Sequence, residues 1–321
     1  MPLSKLWRWH TRSKITVIGA GNIGGSCAQR LAERGYADVV VVDIAKGVPQ
    51  GKTLDILEST PLVGRDVRLV GSNGYEETAG SDIVIITAGI PRRPGMRRDD
   101  LLFTNMDIIK GVVEQVVHYS PQSILIIITN PLDAMAQLAW EVSGFPRQRV
   151  IGMSGILDTT RFRTFVAQEL GVSVEDVQAL VLGGHGDQMV PLPRLTTVGG
   201  LPLSQFLPPE TIQRLVKRTI DGGGEIVGLM GSSAYFAPSA AAAQMADAII
   251  FDKKRILPCC VYLDGEYGIN GVFVGVPVKL GRGGAEEVIE TELTPEESQA
   301  LHRSAAAVKE LVDTMHRRPK T

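Results

Sequence analysis

Five histidines occur in the chain, and His185 has the setting best suited to proton transfer. It follows a β-rich run at 178–182 and lies between Gly184 and Gly186. A glycine turn after a strand exposes a side chain with little steric cover. Imidazole titrates near neutral pH, so it can take a proton from an alcohol and return it. The other histidines have plainer settings: His10 in the N-terminal tail, His118 near a helix end, His302 and His316 on an amphipathic helix. Asp158 and Arg161 are three apart and share one helix face. Such a pair on its own reads as a surface ion pair. Placed beside an imidazole, a buried carboxylate fixes the tautomer, and a guanidinium grips a substrate carboxylate in a two-pronged fork.

A second group of residues suits a dinucleotide. Gly19-Ala20-Gly21-Asn22-Ile23-Gly24 follows an apolar run at 14–18 and opens a helical pattern at 23–33. In such a turn the first glycine allows the tight bend, the second lets a pyrophosphate approach the backbone, and the third lets helix and sheet pack closely. The phosphates then face free N–H groups at the helix N-terminus. Asp43 ends the second apolar run. An acid there accepts hydrogen bonds from adenosine ribose hydroxyls and repels a 2′-phosphate, which predicts NAD over NADP. The plainer alternative is that Asp43 caps a strand end. Thr87-Ala88-Gly89 and Thr129-Asn130-Pro131 follow two further strand candidates, where ligands of parallel sheets bind. Asn130 suits a nicotinamide ribose or a substrate hydroxyl, or it is a turn residue before Pro131.

The segment 91–100, PRRPGMRRDD, carries four arginines between prolines and a glycine. It reads as a mobile lid presenting cations to an anionic substrate. A nucleic-acid patch is disfavoured, because the net charge is −2 and no aromatic residue is interleaved.

These residues need a scaffold. Continuous β-branched runs at 14–18, 39–42, 67–70, 83–87, 124–129 and 150–153 suggest strands buried on both faces, hence a parallel sheet. Helical patterns at 23–33, 100–119 and 133–142 lie between them, as in a doubly wound α/β domain. Beyond residue 155 come helices at 159–170, 210–222 and 234–251, glycine-punctuated antiparallel strands over 258–281, and a closing helix at 294–316. The reading is an α/β chain in two domains: 1–154, a Rossmann domain with an N-terminal extension at 1–13, and 155–321, an α+β substrate domain. The 321 residues suit that division. No aliphatic run approaches a bilayer span, and the N-terminus lacks the apolar core of a signal peptide. Three cysteines without metal-ligand spacing suggest reduced thiols in a cytoplasmic protein and no bound metal.

The motifs GAGNIG, ITAGIPRRPGMRRDDLL, ITNPLDAM, GILDTTRFR and GGHGDQMVPL, in this order, resemble the lactate/malate dehydrogenase superfamily. Within it the chain is most similar to the lactate-dehydrogenase-like malate dehydrogenases, a group that GSSAYFAP at 231–238 also fits. The resemblance implies reversible NAD-dependent oxidation of (S)-malate to oxaloacetate. It implies His185 as proton donor and acceptor, Asp158 as its partner, Arg161 on the C1 carboxylate, and Arg98 on the reacting carbonyl. Arg92 takes the substrate-selecting position, and Asn130 contacts cofactor and substrate. Asn105 and the Ile128, Thr129 and Asn130 backbone line the NAD site. Arg93 and Arg97 depart from the group's commonest pattern, which leaves the register within the arginine cluster open. The resemblance also implies a homo-oligomer, tetrameric or dimeric, with neither nucleic acid nor membrane as partner. A lactate dehydrogenase and a catalytically inactive NAD-binding protein are the alternatives.

Overall fold

The computed structural model describes residues 12–91 and 98–318, without the side chain of Arg98. The first half runs β1 (Ser13–Ile18), α1 (Asn22–Arg34), β2 (Ala37–Val42), α2 (Val48–Ser59), β3 (Leu69–Ser72), β4 (Ile83–Ile86), α3 (Arg98–Tyr119), β5 (Ile124–Ile127), α4 (Leu132–Ser143) and β6 (Val150–Gly152). Helix α5 (Ser154–Leu170) follows, then the short strands β7 (Val177–Gln178), β8 (Val181–Leu182), β9 (Val190–Pro191), β10 (Thr197–Val198) and β11 (Leu201–Pro202). The chain continues through α6 (Pro209–Met230), α7 (Phe236–Ile250), β12 (Arg255–Asp264), β13 (Asn270–Gly281), β14 (Gly284–Val288) and α8 (Pro295–His316).

Among the described residues nine strands form one sheet in the order β14-β13-β12-β6-β5-β4-β1-β2-β3. The stretch from β3 to β6 is parallel and has the doubly wound order 3-2-1-4-5-6. Strand order reverses between β1 and β4, and a crevice opens there at the carboxyl ends. The sheet continues past residue 154: β12 joins β6 antiparallel through Cys260 and Gly152. All four residues of β4 are fully buried isoleucine or valine. Each such side chain stabilises the fold by about 1.5–3 kcal/mol over an exposed one. Helix α7 is tied to the first half by Asp247, which accepts from Tyr36 Oη at 2.6 Å and pairs with Arg34 at 2.9 Å. A smaller apolar cluster around Phe162, Val166, Val181 and Leu215 joins α5 to α6.

Several elements differ from the sequence reading. The third strand lies at Leu69–Ser72 and not at 67–70, and α2 has no counterpart in that reading. Its exposed Leu54 and Leu57 blur the amphipathic pattern. Helix α6 does not stop at Gly222 but runs through Gly223 and Gly224 to Met230. The closing helix starts as expected, with Thr294 Oγ1 accepting from Glu297 N–H and Glu297 Oε2 accepting from Thr294 N–H. No helix among the described residues is long and apolar enough to cross a membrane.

Candidate active site

The glycine turn between β1 and α1 meets the steric demands of a pyrophosphate cradle. Gly19 has φ +101°, and a Cβ there would lie 2.6 Å from Thr87 Oγ1. A Cβ on Gly24 would lie 1.7 Å from the Gly19 carbonyl oxygen, so the helix can approach the turn only without one. Gly21 faces open space, with nothing within 4 Å of an added Cβ. It is the N-cap of α1, no side chain caps the helix, and the first turn carries no acid. The helix N-terminus therefore presents N–H groups that no side chain caps, as an anion site requires. These residues fit the diphosphate of NAD.

Asp43 does more than end a strand. Its Oδ2 accepts the Ala20 N–H at 2.6 Å and its Oδ1 the Ala45 N–H at 2.8 Å, so it holds the glycine turn in place. Thr87 braces the other side, donating its hydroxyl to the Ile18 and Gly19 carbonyls, both at 3.1 Å.

Two adjoining cavities lie over this end of the sheet, of about 430 and 410 Å³. Ile23, Ile128, Asn130, Ser233 and Ala234 belong to the walls of both. Gly21, Asn22, Thr87, Gly89 and Thr129 line one cavity; Arg161 and His185 line the other. One cavity is thus lined by the glycine motif and the next by His185 and Arg161, with Asn130 at the junction. Ala88 accepts the Thr129 hydroxyl through its carbonyl at 2.6 Å. Asn105 is fully buried and lines neither cavity. It stands behind the wall, donating to the Asn130 carbonyl at 2.7 Å and exchanging hydrogen bonds with the Ile90 backbone.

The His185 turn is pinned by an isolated bridge in which Gly183 exchanges backbone hydrogen bonds with Gly275 of β13. Gly184 N–H donates to the buried Ser304 Oγ of α8 at 2.8 Å. His185 Nδ1 meets Asp158 Oδ2 at 2.9 Å. Asp158 is almost fully buried in α5, and its Oδ1 accepts from Arg161 Nη1 at 3.1 Å. The aspartate–arginine pair is therefore not the surface ion pair that an isolated spacing suggests. Burial lowers the His185 pKa, but the charge and hydrogen bond of Asp158, helped by Asp133, outweigh it and leave the value raised. With Nδ1–H engaged by a carboxylate, the other ring nitrogen is the one that can accept a proton.

Sequence reasoning missed the part played by the Gly222-Gly223-Gly224 run. Glycine within a helix costs roughly 1 kcal/mol relative to alanine. Here Gly223 and Gly224 face the cavity, and a Cβ on Gly222 would lie 3.4 Å from Arg161 Cδ. The run brings the α6 backbone alongside the Arg161 side chain, where a Cβ on Gly222 or Gly223 would be in ordinary contact with it. A glycine triplet inside an otherwise helical pattern was the available signal. Asp133 and Ser304 were missed as well, since an acid early in one helix and a serine within another carry no signature. Arg92 lies outside the described residues. Arg98 begins α3, but its side chain lies outside them too.

The chain is similar to known proteins over nearly its whole length. The lactate/malate dehydrogenase NAD binding domain matches residues 13–152, and the lactate/malate dehydrogenase alpha/beta C-terminal domain matches residues 156–318. A malate dehydrogenase of Thermomicrobium roseum is 57% identical over 304 residues, 95% of this chain and 98% of the relative. The solved structure of malate dehydrogenase from Salinibacter ruber superposes with a TM-score of 0.92 at 55% identity, covering 95% of this chain and 98% of that one. A lactate dehydrogenase of Cryptosporidium parvum, solved with lactic acid and NAD, superposes with a TM-score of 0.93 at 44% identity, over 96% and 99% of the two chains. The chain belongs to the lactate/malate dehydrogenase family, with that family's NAD-binding domain as its first half.

Proposed function

We propose that the chain is a malate dehydrogenase, catalysing the reversible NAD-dependent oxidation of (S)-malate to oxaloacetate. The observation that carries the reading is His185 held at 2.9 Å by a buried Asp158 that also binds Arg161, with His185 and Arg161 on one cavity wall. The glycine turn, the α1 N-terminus, Asp43, Thr87, Gly89 and residues 128–130 would hold the cofactor. Bound NAD⁺ supplies the hydride acceptor. Neutral His185 accepts the C2 hydroxyl proton at Nε2, while Asp158 keeps Nδ1 protonated and stabilises the resulting imidazolium. Arg161 grips the C1 carboxylate, and Asn130 at the cavity junction orients the substrate hydroxyl. Arg92 is assigned the second carboxylate and Arg98 the reacting carbonyl on the sequence resemblance.

A lactate dehydrogenase is the second reading, since a lactate dehydrogenase is among the chain's structural neighbours. Malate is favoured by Arg92: a methyl group at the substrate's far end would leave a guanidinium desolvated and unpaired. Comparing oxaloacetate with pyruvate as acceptor of NADH hydride tests the choice. An acceptor-dependent reaction with either would also exclude the inactive NAD-binding alternative.

The working form is read as a homo-oligomer, a tetramer by preference and a dimer otherwise. Leu54 and Leu57 on α2 and Leu62 and Val63 just beyond it are exposed, an apolar face that a second copy of the chain would cover. The two-domain division at residue 154 and a cytosolic location, suited to three buried free thiols, belong to the same proposal.

A further inference from the structure

Beneath the His185 turn lies a second buried carboxylate, that of Asp133 in the first turn of α4. Its Oδ2 accepts the His185 backbone N–H at 2.9 Å, and its Oδ1 accepts the Cys260 thiol at 3.1 Å. A Cβ on Gly184 would lie 3.3 Å from Oδ2, so the turn rests directly on the carboxylate. Asp133 thereby joins three pieces: the helix that follows Asn130, the His185 turn, and β12.

A neutral acceptor would tether one N–H equally well, without the desolvation cost of a buried charge. Burial pushes the Asp133 carboxyl up to about 6, although the Cys260 thiol and His185 act in the opposite direction. The groups that face Asp133 and His185 are Asp158 and Arg161 from α5 and Cys260 from β12, among the described residues. The charge of Asp133 acts on the His185 ring in the same direction as that of Asp158.

We infer that Asp133 is a positioning residue for His185: its carboxylate tethers the turn through the backbone N–H, and its charge supports the imidazolium that forms during proton transfer. The inference rests on the reading of His185 as proton carrier.

The test is Asp133→Asn in the full chain, with kcat/KM followed against pH for malate oxidation and oxaloacetate reduction. The amide oxygen still accepts the His185 N–H, so the tether survives while the charge is lost. Both profiles should bend at a pH lower by on the order of one unit, the usual scale for losing one nearby charge. NADH binding should be unchanged. A lower kcat with an unmoved bend would make Asp133 merely structural and overturn the inference. If this variant does not fold, Cys260→Ala replaces it. Losing the thiol donor disfavours the charged carboxylate, so a smaller downward movement is expected and none would be contradictory. An unmodified chain inactive with both oxaloacetate and malate would overturn the proposed reaction instead. The His185 ring titration, read by NMR in the unmodified and Asp133→Asn chains, would still decide the present inference by the same downward movement or its absence.

Discussion

Asp158 divides its two oxygens between two side chains: Oδ2 lies 2.9 Å from His185 Nδ1, and Oδ1 lies 3.1 Å from Arg161 Nη1. One buried carboxylate thus orients both His185, the proposed proton carrier, and Arg161, the cation proposed for the substrate carboxylate. Its position three residues before Arg161 on α5 fixes their relative placement.

Replacing Asp158 by asparagine keeps the shape and removes the charge from both contacts. The expected outcome is a fall in kcat of about 10² or more, the usual worth of positioned acid–base catalysis. Steady-state kinetics checks the fall. NADH affinity, measured by fluorescence titration, should stay near that of the unmodified chain, because the glycine turn is untouched. His185→Asn should behave in the same way.

The raised pKa of His185 sets the sign of the pH dependence. Malate oxidation needs the neutral ring, so its kcat/KM should climb with pH and level off above the ordinary imidazole value of about 6.5. Oxaloacetate reduction needs the protonated ring and should decline through the same region. The same coupling contributes stability that is complete below about pH 6.5 and is lost as pH rises through the higher folded value. Profiles bending below that pH would contradict the electrostatic account.

Two glycines of the same turn should respond differently to alanine. Gly21 faces open space, so Gly21→Ala should leave thermal stability nearly unchanged and weaken NADH binding. Gly24→Ala forces a Cβ to 1.7 Å from the Gly19 carbonyl oxygen. Overpacking of this kind costs on the order of 1–3 kcal/mol or more, so both melting temperature and NADH affinity should fall. Differential scanning calorimetry with NADH titration separates the two.

Asp43 should govern cofactor choice. The unmodified chain should use NADH far better than NADPH, and Asp43→Ser should narrow the gap in kcat/KM by relieving repulsion of the 2′-phosphate. Because Asp43 also holds the Ala20 N–H, the variant should lose some NADH affinity too.

The parallel sheet and the glycine turn were legible because buried strands need unbroken β-branched runs and the turn has no room for a Cβ at Gly19 or Gly24. His185 stood out because two glycines flank it. The contact between Asp158 and His185 was not deducible from spacing, since it brings α5 to a turn 27 residues away; it came from family resemblance. Asp133 and Ser304 were invisible because they hold the His185 turn through backbone N–H groups, which every residue but proline carries. The end of α6 was misplaced because local helix propensity argued for a stop at three glycines, whereas the helix runs on through them past Arg161 to Met230.

The most direct measurement compares kcat/KM for oxaloacetate and pyruvate in NADH oxidation by the unmodified chain. Oxaloacetate brings two carboxylates, which the proposal assigns to Arg161 and Arg92, and pyruvate would leave the second of these cations without a partner. A preference for oxaloacetate of several powers of ten is expected, the scale on which a buried polar site rejects an analogue lacking its partner. Equal or faster turnover of pyruvate would contradict it.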